Sequence, residues 1–252
     1  VSLLLLRLGR SESSIGTINV FNTSQTYSGS WNFSPSAGEV ILNSFGRIGV
    51  RPTEILASHI QQATMEMNLL FARFNNSVPN LWAVDLQTVP LTASVGTYSV
   101  PAETVQIMDM YVRVSNPGTD RMMFGISRTE YASLADKETE GPPNQFWFNR
   151  AISPEITLYP VPDGNGPYTI YYYRVRNIQD AYTAGGLNVE VPPLWMDALC
   201  AGLAHRMARI YAPQLEQIRK MDADEAWKIA ADQNVEDVQL YIAPQISGYY
   251  SR

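Results

Sequence analysis

The chain has 252 residues, 45% of them hydrophobic, enough for one large domain or two small ones around a genuine core. Charged residues make up only 17%, and 18 basic against 24 acidic side chains leave a net charge of −6, the wrong sign for a general nucleic-acid binder. The single cysteine, Cys200, excludes an internal disulfide and a cysteine-based zinc site, and the leucine run 3–6 is broken by Arg7 before it reaches the length of a signal core or a membrane span. The triplets at Asn22, Asn32 and Asn75 match the glycosylation pattern without an accompanying secretion signal.

Residues 1–33 are rich in Ser, Thr, Asn and Gly and lack helical periodicity, which predicts an extended arm. Ser34 or Ser36 is placed to cap a helix over 39–47 that closes at Gly49. Pro52 opens the next helix, in which Leu56, Ile60, Ala63, Met67, Leu70 and Phe74 advance by fours and threes along one face, ending near Asn75-Asn76. Between 82 and 178 the rhythm changes to period two. Strands are predicted at 86–91, 96–100, 105–114, 145–149, 155–161 and 168–176, with a turn at 116–120 and a short helix over 127–134. Pro192-Pro193 starts a helix to about Tyr211 with Trp195, Leu199, Leu203 and Ile210 inward. A final helix, 214–232, carries Leu215, Ile218, Met221 and Ile229 as its stripe and a Glu216–Lys220 pair at helical spacing.

The order is helix pair, β insertion, helix pair. Since an amphipathic pair cannot bury its faces alone, the expectation is an α+β protein: an antiparallel four-helix unit formed by the N- and C-terminal helix pairs, a β-rich, sandwich- or barrel-like insertion, and an extended C-terminal tail. The corresponding boundaries are 1–33 (arm), 34–80 with 192–236 (helical domain), 81–191 (insertion) and 237–252 (tail). Pro244 and Gly248 prevent the tail from continuing the last helix, yet it carries Leu240, Tyr241, Ile242, Ile246, Tyr249 and Tyr250, the make-up of an interaction segment. Docking of that segment on the protein's own core is the plainer alternative.

Material for catalysis is thin. His59 and His205 are isolated histidines, better explained by packing or surface exposure than by ligation. Glu39, Glu54, Asp85 and Asp109 offer carboxylates for glycoside hydrolysis, but nothing singles out a pair. The cluster Asp222, Asp224, Glu225 reads as a solvated helix face. Gly164-Asn165-Gly166 lacks the following helix that a phosphate loop needs. Trp82, Trp147 and Trp227 with Tyr171, Tyr172 and Tyr173 suggest a glycan-stacking sheet, although alternation assigns Tyr172 to the face opposite Tyr171 and Tyr173. Arg206, Arg209, Arg219 and Lys220 form the most basic helical region, suited to salt bridges between subunits, or to a partner's carboxylates or DNA phosphates.

Several runs carry a resemblance: GEVILNSFGRIGVRP (38–52), NLWAVDLQTVP (80–90), SRTEYA (127–132), FWFNRAISPEITLYPVPDGNGP (146–167), YYYRVRNI (171–178) and residues 192–213. In number and order these resemble the tail adaptor, or head–tail connector (head-completion), proteins of short-tailed bacteriophages, over residues 31–252. The resemblance implies a structural subunit with no catalytic activity and no cofactor. It implies copies in a ring, expected to be a dodecamer, beneath the portal protein, in the neck of a virion assembled in the host cytoplasm, with no membrane contact. The helices would line or surround the channel, and genomic DNA would pass without sequence readout. The insertion would face outward or toward a tail nozzle or tail tube protein, and the C-terminal segment would insert along the portal. A glycan-binding tail module and a cell-wall hydrolase are the competing readings.

Overall fold

The computed structural model describes residues 33–77, 80–114, 118–183 and 186–235. The expected arm, save Phe33, and the aromatic tail with Leu240, Tyr241, Ile242, Ile246, Tyr249 and Tyr250 lie outside the described residues.

The first helix, α1 (Ala37–Arg47), begins with a reciprocal cap: the Glu39 amide donates to Ser36 Oγ at 3.3 Å and the Ser36 amide to Glu39 Oε2 at 2.8 Å. Gly49, at φ +85°, lets the chain reverse where a Cβ would be strained. Pro52–Glu54 form a single 3-10 turn, and Ile55 returns to extended geometry, so α2 (Ala57–Ser77) starts later than the apolar series suggests. Leu56, expected inward, is 62% exposed and donates its amide to His59 Nδ1 at 3.3 Å. Ala63, Met67, Leu70 and Phe74 are buried as their spacing predicts.

At the far end of the chain α4 (Met196–Tyr211) and α5 (Glu216–Asp232) follow 3-10 turns led by Pro193 and Pro213. Helix α4 is central, packing against α1, α2 and α5, and all four helices contribute to one apolar cluster. Gly202 permits the α2 contact, because a Cβ there would meet Leu70 Cδ2 at 3.0 Å.

Two stripe assignments are corrected. Ile210 of α4 is exposed, and on α5 Ile218, Met221 and Ile229 face solvent while Ala223, Ala226 and Ala230 are buried. On this face Ala223 and Trp227 of α5 lie opposite Ala198, Gly202 and His205 of α4.

The insertion is one seven-stranded sheet, in the order β1 (Val84–Pro90), β9 (Tyr168–Arg176), β3 (Thr104–Val114), β4 (Thr119–Gly125), β6 (Gln145–Asn149), β7 (Glu155–Tyr159), β2 (Thr97–Ser99). All pairings are antiparallel except the short β4–β6 contact. A two-residue pair, β5 (Glu140–Gly141) with β8 (Val161–Pro162), and a short helix α3 (Arg128–Ser133), capped by Ser127 and Glu130, complete it. Ile156 and Leu158 of β7 share a core with Ile170 and Tyr172 of β9, although three strands lie between them, so the sheet curls until its two ends enclose one interior. Strand β4 has no counterpart among the predicted elements. Only Met123 of its seven residues is buried, so period-two alternation is absent from its sequence.

Candidate functional site

Side chains proposed for chemistry are engaged in holding the fold. Glu39 caps α1, and Glu54 accepts from the Arg51 amide at 3.3 Å. Asp85 is gripped by Arg174, whose hydrogen bonds hold its carboxyl below the usual range. Asp109 lies on the sheet surface beside Met108 and Tyr173. His59 caps α2 and packs edge-on against Tyr211 at 4.9 Å. His205 is buried, its Nε2 without a hydrogen-bond partner, and burial pushes its pKa down. The Cys200 thiol is buried and pushed up by desolvation, away from a reactive thiolate. Among the described residues no group of His, Cys, Asp and Glu side chains is arranged to hold a metal. Asp163 accepts from the Asn165 amide at 3.0 Å, which makes 163–166 a side-chain-closed turn leading into β9.

The aromatic residues divide. Trp82 and Trp227 lie in the helical core with Trp195 and Phe74, at ring separations of 4.8–5.7 Å. Tyr172 is fully buried, whereas Tyr171 and Tyr173 lie on the outer sheet face as alternation predicts. Tyr171 stacks on Tyr111 at 5.1 Å with the rings 2° apart, and the Arg113 guanidinium covers Tyr171 at 4.7 Å while its fork holds Asp120. Trp147 is stacked on Tyr131. Of these rings, Tyr171 and Trp147 each have an aromatic neighbour, and Tyr173 is exposed.

Three of the four basic helical residues are paired within the chain. Arg206 reaches Glu66 of α2 at 3.0 Å, Arg209 reaches Glu216 at 3.0 Å, and Arg219 reaches Asp222 at 2.7 Å. Glu216 therefore bonds Arg209 and not Lys220, which is exposed on α5.

What remains uncovered is apolar. On α5, Ile218, Met221 and Ile229 form a ridge 53–64% exposed, with Ile210 of α4 also exposed. On the far side of α2, Met65 and Leu69 join Tyr182 in a groove of about 640 Å³ whose other walls, Gln61, Thr64, Asn68 and Thr183, are uncharged. On the outer sheet face Leu86, Met122, Phe124 and Tyr173 are exposed.

Sequence reading missed Arg174. It is 3% exposed, bonded to Asp85 through both fork nitrogens, to Glu103 at 3.1 Å and to Thr104 at 2.9 Å. The signal was present: alternation from Ile170 through Tyr172 places residue 174 on the core face, where an arginine must bring its own acids.

Among the described residues no helix is long and apolar enough to cross a membrane. No curated protein matches the chain. The family model described as SU10 adaptor protein matches residues 37–246, which take in the five α-helices and the seven-stranded sheet of the described residues. With fold and uncovered apolar faces in accord, the chain belongs to the SU10 adaptor protein family, whose members are phage tail adaptors and structural proteins of the virion.

Proposed function

We propose that this chain is a non-enzymatic subunit of a phage head–tail connector, docked beneath the portal protein in the virion neck and joining it to a tail nozzle or tail tube protein. Copies close into a ring, a dodecamer on this reading, by head-to-tail contacts between unlike patches. The four long helices, residues 34–80 and 192–236, act as one antiparallel connector body. The insertion, 81–191, turns outward or toward the tail. The tail, 237–252, inserts along the portal through Leu240, Tyr241, Ile242, Ile246, Tyr249 and Tyr250. Assembly takes place in the host cytoplasm.

The observation that carries this reading is the inverted α5, which buries alanines and leaves Ile218, Met221 and Ile229 in water. A second surface over that ridge would take its apolar side chains out of water, and membership of an adaptor family supports a protein partner. Genomic DNA passes without sequence readout. The net charge of −6 supports sliding, since a lining rich in unpaired cations would retain phosphate in a salt-dependent way. Three of the four basic helical residues already have acidic partners in the chain, which leaves Lys220 as the member of that set best placed for a partner's carboxylate.

The test is sedimentation with the cognate portal. The full chain is expected to co-sediment with the portal as a ring, and a chain truncated after Asp237 to remain folded and fail to dock. Unchanged docking of the truncated chain would overturn the role given to the tail. Clearing of peptidoglycan by the pure protein, abolished by substituting one carboxylate, would replace the connector reading with a hydrolase.

A further inference from the structure

Strand β3 departs from alternation at one place. Ile107 and Met110 are buried, and both residues between them, Met108 and Asp109, face outward. The cause is a bulge: where β3 pairs with β9 the register steps from Ile107 opposite Arg174 to Asp109 opposite Tyr173, which leaves Met108 without a partner across the ladder. Two successive side chains therefore stand on the outer face, where regular pairing would allow one. With Leu81, Val84 and Tyr173 they line a groove of about 410 Å³, and the exposed Leu86, opposite Tyr173 on β1, extends its apolar surface. Among the described residues that line it, Asp109 alone is charged. Whereas Asp85, Glu103 and Asp120 are each held by an arginine, Asp109 has no such cation, so the groove favours an apolar segment that brings no further acid.

The chain delivers such a segment to the groove's edge. Asn234, just past the end of α5, accepts from the amide of Leu81 through its Oδ1 at 3.2 Å, and Leu81 is one wall of the groove. The chain thus leaves the described residues, after Val235, beside Leu81. Beyond Asp237 the sequence has no charged residue before Arg252, and Val238, Leu240 and Ile242 alternate with Gln239 and Tyr241 ahead of Pro244. Extended, that spacing sets three branched apolar side chains on one side. The four residues from Asn234 to Val238 span at most about 14 Å, and the next four as much again. Val84 on β1 and Met108 on β3 are two strand spacings apart, about 10 Å, so 238–242 can cross the groove with α5 left in place.

We infer that this groove is the docking site of the chain's own tail root in the free protein, with Val238, Leu240 and Ile242 laid across Leu81, Val84, Met108 and Tyr173. The occupancy stands on the geometry of the groove and of the chain exit. Its consequence rests on the connector reading: groove and portal compete for Leu240 and Ile242, so the free chain keeps its interaction segment covered until a portal is present.

The experiment is methionine footprinting of the full chain. Met108 lies in the groove, and the exposed Met122 of β4, outside the groove, is the internal reference. Met108 is expected to form its sulfoxide about threefold more slowly in the parent than in a chain carrying Leu240→Ser and Ile242→Ser, with the rate at Met122 equal in both. A photo-reactive residue at position 240 is expected to link, within one chain, to the peptide that contains Met108, at a yield independent of protein concentration. Equal Met108 rates in parent and variant, or a link that forms only between chains, overturns the docking of the chain's own tail. Added portal is expected to raise the Met108 rate of the parent to that of the variant. Portal binding with Met108 unchanged overturns the competition, whereas absence of portal binding overturns the connector reading and the competition with it and leaves the groove result standing.

Discussion

The contact between α4 and α5 and the contact between β3 and β9 solve the same packing problem with opposite side chains. Between the helices the fully buried residues of α5 are Ala223, Ala226 and Ala230, with Trp227 packed against the same core, while Ile218, Met221 and Ile229 stand outside. Between the strands Met110, Val112, Ile170 and Tyr172 are inside, and the outer face is partly closed by the Tyr111–Tyr171 stack under Arg113. The sheet completes its own core. The helical half uses alanines for close approach and leaves Ile218, Met221 and Ile229 exposed on the outer side of α5.

The comparison can be broken most forcefully at the aromatic centre of the helical half. Trp195 touches Phe74, Trp82 and Trp227, and Trp195→Ala is expected to cost about 3–5 kcal/mol, read as a fall in the urea midpoint. In the sheet the corresponding weak point is polar: Arg174→Met leaves Asp85 and Glu103 without their cation and is expected to cost about 3 kcal/mol, whereas Arg113→Met on the exposed face should have a much smaller effect.

Acid sharpens the same contrast. Asp85 and Glu190 have carboxyls held low by hydrogen bonds from Arg174 and Arg176. Their stabilisation is fully present above the ordinary values of 3.8 and 4.5 and is lost as pH falls through the lower folded values. His205 adds an earlier, shallower loss that begins as pH falls through its ordinary 6.5, because the buried ring resists the proton that the unfolded chain accepts. The melting temperature should therefore decline gently below that point and steeply below the carboxyl range, and Arg174→Met should flatten the steep limb alone. The smallest effect belongs to the ridge: Ile218→Ser with Met221→Ser should change the stability of the free chain by no more than about 0.5 kcal/mol per site.

Much of this was legible in the sequence where one rule acted alone. Ser36 with Glu39, and Ser127 with Glu130, announce their helices through the capping pattern, and the alternation in 168–176 sorts Tyr172 from its neighbours. The α5 stripe was misread because periodicity finds an apolar face without saying whether it turns toward the same chain; Ile218, Met221 and Ile229 satisfy the spacing and face outward. Leu56 was misplaced because the extended Ile55 delays the helix by a turn. Strand β4 was invisible because its ladder partners, and not its side-chain pattern, make it a strand. Among the basic helical residues, the acid that Arg206 meets could not be read from spacing, since Glu66 and Arg206 are 140 positions apart.

The account rests on the exposed α5 ridge being a subunit contact. A photo-reactive residue at position 218, activated in the complex of this chain with its portal, tests that contact directly: the account predicts a covalent product between two copies of the chain, mapped to a different patch on the second copy. Complexes that dock fully yet yield only uncrosslinked chain would contradict it.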